Sequence, residues 1–80
     1  MSKHEKVLTR MRNNPRDWKI QDLLTIAAYY GIELRNDGGS HHVFSHPLLT
    51  LTICVPAHRP IKPVYIKQFV KLIDQIVKVM

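Results

Sequence analysis

Apolar residues recur along this chain with two different periods, and the change of period divides it. Over residues 3–12, Val7, Leu8 and Met11 fall at i, i+1 and i+4 among charged residues. That spacing predicts a short amphipathic helix with a narrow apolar stripe. Asn13-Asn14-Pro15 should end it, because the residue before a proline is pushed out of the helical region. Asp17 is then placed to cap a second helix, its carboxylate accepting from free backbone N–H groups. In that helix Ile20, Leu23, Leu24 and Ala27 fall at i, i+3, i+4 and i+7, a buried stripe. Trp18 belongs to the first turn and packs on the core, and Gly31 is a natural C′ residue that stops the helix.

From Ile32 the period shortens to two. Ile32-Glu33-Leu34-Arg35 alternates as a half-buried strand does. Asp37-Gly38-Gly39 is turn chemistry, since glycine reaches positive φ without steric cost. The following His41-His42-Val43-Phe44-Ser45-His46 holds the β-branched and aromatic residues of a second strand, which His46-Pro47 ends. A third strand begins near Leu49, where Leu49, Leu51, Ile53 and Val55 alternate with Thr50, Thr52 and Cys54. Three antiparallel strands with one wet face follow.

Residues 56–63 carry three prolines and read as a stiff connector. Pro63 opens the last helix, where its missing N–H costs nothing. There Ile66, Phe69, Val70, Ile73, Val77 and Met80 form the apolar stripe, while Lys67, Gln68, Lys71, Asp74, Gln75 and Lys78 face away. The pattern predicts an α+β fold of order α-α-β-β-β-α, with helices on one face of the sheet. It is one domain over residues 1–80, of which 1–16 are an N-terminal helical extension.

Composition narrows what such a domain does. At 45% apolar residues the chain has the make-up of a globular protein. The single cysteine, Cys54, rules out an internal disulfide and reads as a structural strand residue. No apolar run approaches the roughly 20 residues that span a bilayer. The N-terminus lacks the apolar core of a signal peptide, so a cytoplasmic location is expected. A formal charge of +6 gives the chain a field that attracts polyanions and supplies sequence-independent affinity for phosphate.

Candidate chemistry gathers in residues 37–46, which hold three of the five histidines and two of the three glycines. A glycine turn sets His41 at the start of a strand, rigidly held yet accessible. Histidine takes or gives a proton near neutral pH, so an imidazole held there is placed for proton chemistry. A metal site is the rival use of clustered histidines. Adjacent strand residues point to opposite faces, which separates His41 from His42. His42 and His46 share a face but stand roughly 13 Å apart along an extended strand. Neither spacing closes a zinc site, so no metal or other cofactor is expected.

Gly39-Ser40-His41-His42-Val43-Phe44, with Arg35 before it and Val55-Pro56-Ala57-His58 after it, resembles the HicA toxin family. The resemblance covers roughly residues 18–80 and departs from the family where Lys62-Pro63 replaces its usual glycine. It implies a double-stranded-RNA-binding-domain-like fold and a small endoribonuclease, an mRNA interferase, neutralised by a HicB-like antitoxin. It also implies that His41 is the catalytic histidine. Ser40 and His58 are auxiliary candidates, and Arg35, Lys62, Lys67 and Lys71 are candidates for RNA contacts. Two other classes of function fit the same residues. One is a non-catalytic RNA-binding module that uses the lysines of the last helix. The other is a protein-interaction domain whose basic surface docks an acidic partner.

Overall fold

The computed structural model describes residues 2–36, 38–57 and 59–79. It has the expected α+β architecture: α1 (Lys3–Asn13), α2 (Ile20–Tyr29), β1 (Glu33–Asn36), β2 (His41–Ser45), β3 (Ile53–Pro56) and α3 (Pro63–Val79). The three strands form one antiparallel sheet of order β1-β2-β3, so β2 is central and both neighbours are edges. No helix among the described residues is long and apolar enough to cross a membrane.

Helix α1 starts on a reciprocal cap. The Ser2 hydroxyl accepts from the Glu5 N–H at 3.2 Å, and the Glu5 carboxylate accepts from the Ser2 N–H at 3.3 Å. The start of α2 differs from expectation. Asp17 does not cap it but sits at φ 65°, and the helix begins at Ile20, where Asp22 accepts from the Lys19 N–H at 2.9 Å. The cause lies in Trp18. Its indole N–H donates to the Asn14 carbonyl at 2.7 Å, and its own carbonyl accepts from the Ile61 N–H at 2.9 Å. Those two bonds hold residues 17–18 in a loop, with the indole packed on the core as expected. Gly31, at φ 70°, ends the helix as its position predicts.

The third strand is shorter than its alternation suggests and starts at Ile53 rather than near Leu49. The register explains the loss. Phe44 faces Ile53, so residues 49–52 would have to pair with 45–48. Beyond Ser45, the last residue of β2, those positions belong to the connection itself, turned by the Leu49 N–H on the His46 carbonyl at 3.0 Å. Leu49 and Leu51 still pack on the core from outside the sheet. In β1, Ile32 is buried just before the strand, but Leu34 is 45% exposed because it lies on an edge.

The core lies between the helices and one face of the sheet. Phe44 from β2 and Phe69 from α3 are both fully buried and meet edge to face, ring centres 5.4 Å apart. In α2, Leu23 and Ala27 are buried as expected, Ile26 joins them, and Ile20 and Leu24 are half-buried. In α3, Ile66, Phe69, Val70 and Ile73 are buried as expected. Val77 is not, whereas Leu72 and Ile76 are fully covered, and Met80 lies outside the described residues. Helix α3 contacts both the sheet and α1, which widens its buried arc, and Val77 stays exposed at the rim of a depression it shares with Glu5, Leu8 and Thr9 of α1. The same contact half-covers Asp74, which was expected to face away. Its carboxylate takes both arms of the Arg12 guanidinium, at 2.9 and 2.7 Å, and raises the Arg12 pKa chiefly through that hydrogen bond. Burial likewise pushes the Tyr30 hydroxyl up from its ordinary value.

Two substitutions separate these contributions. Phe69→Ala removes a fully buried ring and should cost about 3–5 kcal/mol, a large share of the stability of so small a domain. Arg12→Ala breaks a well-formed but half-exposed ion pair and should cost at most about 1 kcal/mol. Urea denaturation of the two variants measures the contrast, and equal losses would show that the helix pairing contributes as much as the aromatic contact.

Candidate functional site

Strand β2 has its conformation prepared by the turn before it. Gly38 stands at φ 91°, where a side chain would be strained, and its N–H donates to the Asn36 side-chain oxygen at 2.7 Å. Asp37, expected in the same turn, lies outside the described residues. The Ala57 N–H donates to the Ser40 carbonyl at 2.7 Å, which carries the β2–β3 pairing one step past His41. His41 is therefore held by backbone on two sides while its ring remains exposed.

Alternation along each strand sorts the side chains into two faces. Phe44, Ile53 and Val55 are buried, so their face is the inner one, and Leu34, Asn36 and His42 share it. The outer face carries Glu33 and Arg35 from β1, His41, Val43 and Ser45 from β2, and Cys54 from β3. Arg35 stands directly opposite Val43, two residues along from His41. A cross-strand diagonal of that kind is about 7–8 Å, within reach of a guanidinium and an imidazole. Cys54 lies on the other diagonal and is exposed, so it is not a structural element of the core.

The three histidines of this stretch have different fates. His42 is engaged at both ring nitrogens: Nε2 lies 2.8 Å from the Asn36 amide nitrogen and Nδ1 lies 3.3 Å from the Ser40 carbonyl. The carbonyl can only accept, and the Asn36 amide is oriented by the Gly38 N–H on its oxygen. The network therefore puts the His42 proton on Nδ1, with Nε2 accepting from Asn36. His46 Nδ1 accepts from the Leu48 N–H at 3.1 Å and helps turn the chain. The His41 ring makes no hydrogen bond or ring contact among the described residues. The outer face thus holds one imidazole uncommitted to structure, with a guanidinium beside it.

The remaining candidates are dispersed. Ser40 is exposed next to His41, and its carbonyl is used by Ala57 and His42. His58 lies outside the described residues. Lys62 is exposed just before α3, where its carbonyl accepts from the Tyr65 and Ile66 N–H groups. Lys67 borders a depression with Met11 and Arg12 of α1, and Lys71 stands beside the outer edge of β3. Arg35 is thus the candidate RNA contact that shares a face with His41, whereas Lys67 and Lys71 present their charge on α3. Among the described residues no cluster of three or more His, Cys, Asp or Glu is placed to hold a metal ion.

Asn36 is the member of the site that sequence reasoning missed. Its signal was present, because an asparagine at a strand end two residues before a glycine is placed to accept from that glycine's N–H. Long-range proton–nitrogen spectra should show His42 as the Nδ1–H tautomer, and Asn36→Ala should weaken that preference while leaving the His41 signals in place. An Nε2–H tautomer of His42 in the unaltered protein would contradict the network.

Comparison with protein-family models, with curated proteins and with solved structures finds no match to this chain.

Proposed function

We propose that this protein is a HicA-like mRNA interferase, the toxin of a toxin–antitoxin pair, with a double-stranded-RNA-binding-domain-like fold. The observation that carries the reading is the division of labour among the histidines. His42 and His46 are tied into the turn chemistry at either end of β2, whereas His41 is rigidly placed, exposed and uncommitted. That is the state a proton-transfer group needs before substrate arrives.

The chemistry follows from one imidazole and one guanidinium on the same face. His41 takes the proton of a 2′-hydroxyl as that oxygen attacks the adjacent phosphorus. The bond from phosphorus to the 5′-oxygen breaks, the leaving oxygen takes a proton from an acid, and the products are a 2′,3′-cyclic phosphate and a free 5′-hydroxyl. His41 in its protonated form serves equally as the acid, in which case another group takes the 2′-proton. Arg35 pairs with the phosphate oxygens on which negative charge grows. The net charge of +6 draws in the RNA. In this reading the protein acts in the cytoplasm and is neutralised by a HicB-like antitoxin.

The position of the α3 lysines favours a second reading, RNA binding without cleavage. Lys67 and Lys71 are exposed on the helix, away from the outer sheet face, and bind phosphates without needing His41.

The two readings part on purified protein. Under the first, His41→Ala should lower RNA cleavage roughly 10²–10⁴-fold. It should change stability by no more than about 0.5 kcal/mol, because the ring is exposed. An RNA with a 2′-deoxynucleotide at the scissile position should resist cutting, and EDTA should not stop the reaction. Parental cleavage by a folded His41→Ala protein would remove His41 from catalysis. RNA binding that falls with salt, with no cleavage by the unaltered protein, would establish the second reading.

A further inference from the structure

The two edges of the sheet are not alike. Ser40 and Ala57 are hydrogen-bonded across β2 and β3, and in an antiparallel pair such contacts alternate along the strands. His42–Val55 and Phe44–Ile53 are then the hydrogen-bonded pairs, and Val43–Cys54 and His41–Pro56 are not. The N–H and carbonyl of Cys54, and the carbonyl of Pro56, therefore point away from β2 into open space. The missing N–H of Pro56 explains its tolerance within the strand, because that nitrogen faces outward.

Exposed edges are ordinarily blunted by charge, bulges or cover. Strand β1 carries Glu33 and Arg35, both exposed. Strand β3 carries no charged residue over Ile53–Pro56. Alongside it runs a trough of about 350 Å³ between the strand and α3. Ile53 forms its apolar side, and Gln68, Lys71 and Gln75 line the opposite wall. Those three residues are spaced i, i+3 and i+7 and so form one row along the helix. Backbone groups are thus presented on the edge, with space for side chains and polar partners for them next to it.

We infer that the free edge of β3 takes up an extended, acidic segment of a partner protein as a fourth strand, its side chains entering the trough beside Lys71. The backbone supplies the pairing, as in strand addition generally, and the trough supplies selectivity. Charge decides the occupant. A second copy would bring another +6 molecule and another Lys71 to the same edge, which repulsion opposes. An acidic strand meets that field with the opposite sign. The inference rests on the edge and the trough alone and does not depend on the nuclease reading.

The test uses the full chain and a synthetic eight-residue peptide that alternates valine with glutamate. A valine–lysine peptide and an acidic peptide N-methylated on every residue serve as controls. Hydrogen exchange and the amide proton shift of Cys54 are read by NMR. The acidic peptide should slow Cys54 exchange by roughly tenfold or more, and neither control should. Lys71→Glu, off the buried stripe and so without effect on the fold, should weaken the acidic peptide roughly tenfold. Four outcomes overturn the inference: no protection of Cys54 by the acidic peptide, equal protection by the lysine peptide, protection that survives full N-methylation, and protection conferred by single-stranded RNA in place of peptide. Protection that grows with protein concentration in the absence of peptide would assign the edge to self-association instead.

Discussion

Everything functional in this fold depends on Phe44 being inside. A strand alternates its side chains with period two, so burying one residue fixes the direction of all the others. With Phe44 wedged against Phe69, His42 is turned inward toward Asn36, and His41 and Val43 are turned outward. A slip of one residue would bury His41 and expose Phe44, at the cost of the Phe44–Phe69 contact in the core. The energy that holds the site in place is therefore hydrophobic, although the site itself is polar. The hydrogen bonds around the turn refine the arrangement, with Asn36 closing both on Gly38 and on His42.

The sequence displayed the fold well wherever one period dominated. Helices α1 and α3 and the order of elements follow directly from the apolar spacing, since an amphipathic stripe has few other ways to be buried. Legibility failed where a long-range contact overrode a local preference. Asp17 has the chemistry of a helix cap, but Trp18 is captured by Asn14 and Ile61 and delays the helix to Ile20. Leu49 and Leu51 alternate like strand residues, but the β2–β3 register leaves them opposite their own turn. Val77 reads as core but is left exposed at the rim between α3 and α1, whereas Leu72 and Ile76 are fully covered. The Trp18–Asn14 bond and the β2–β3 turn are local, but the Trp18–Ile61 bond and the α1–α3 contact join distant parts of the chain.

The site was legible in part for the same reason. A glycine turn followed by a strand places His41, and period two separates it from His42. What sequence spacing does not contain is the hydrogen-bond occupancy of each ring, and that occupancy distinguishes the three histidines. Nor does spacing show where charge lies in space. Arg35 joins His41 on the outer face through cross-strand register, whereas Lys67 and Lys71 follow the turn of α3 toward α1 and the β3 edge. A uniformly basic chain resolves into a small catalytic candidate on the sheet and a separate basic helix.

On the proposed reading, His41 is the one among His41, His42 and His46 whose ring is free to meet an incoming RNA. That availability is tested most directly by following the imidazole signals of all the histidines while a short single-stranded RNA, made uncleavable by 2′-deoxy substitution, is added. The account predicts that the His41 ring signals move with saturation, while His42 and His46 keep their positions and their tautomers. Saturable binding that moves the α3 lysine signals and leaves His41 unchanged would contradict it.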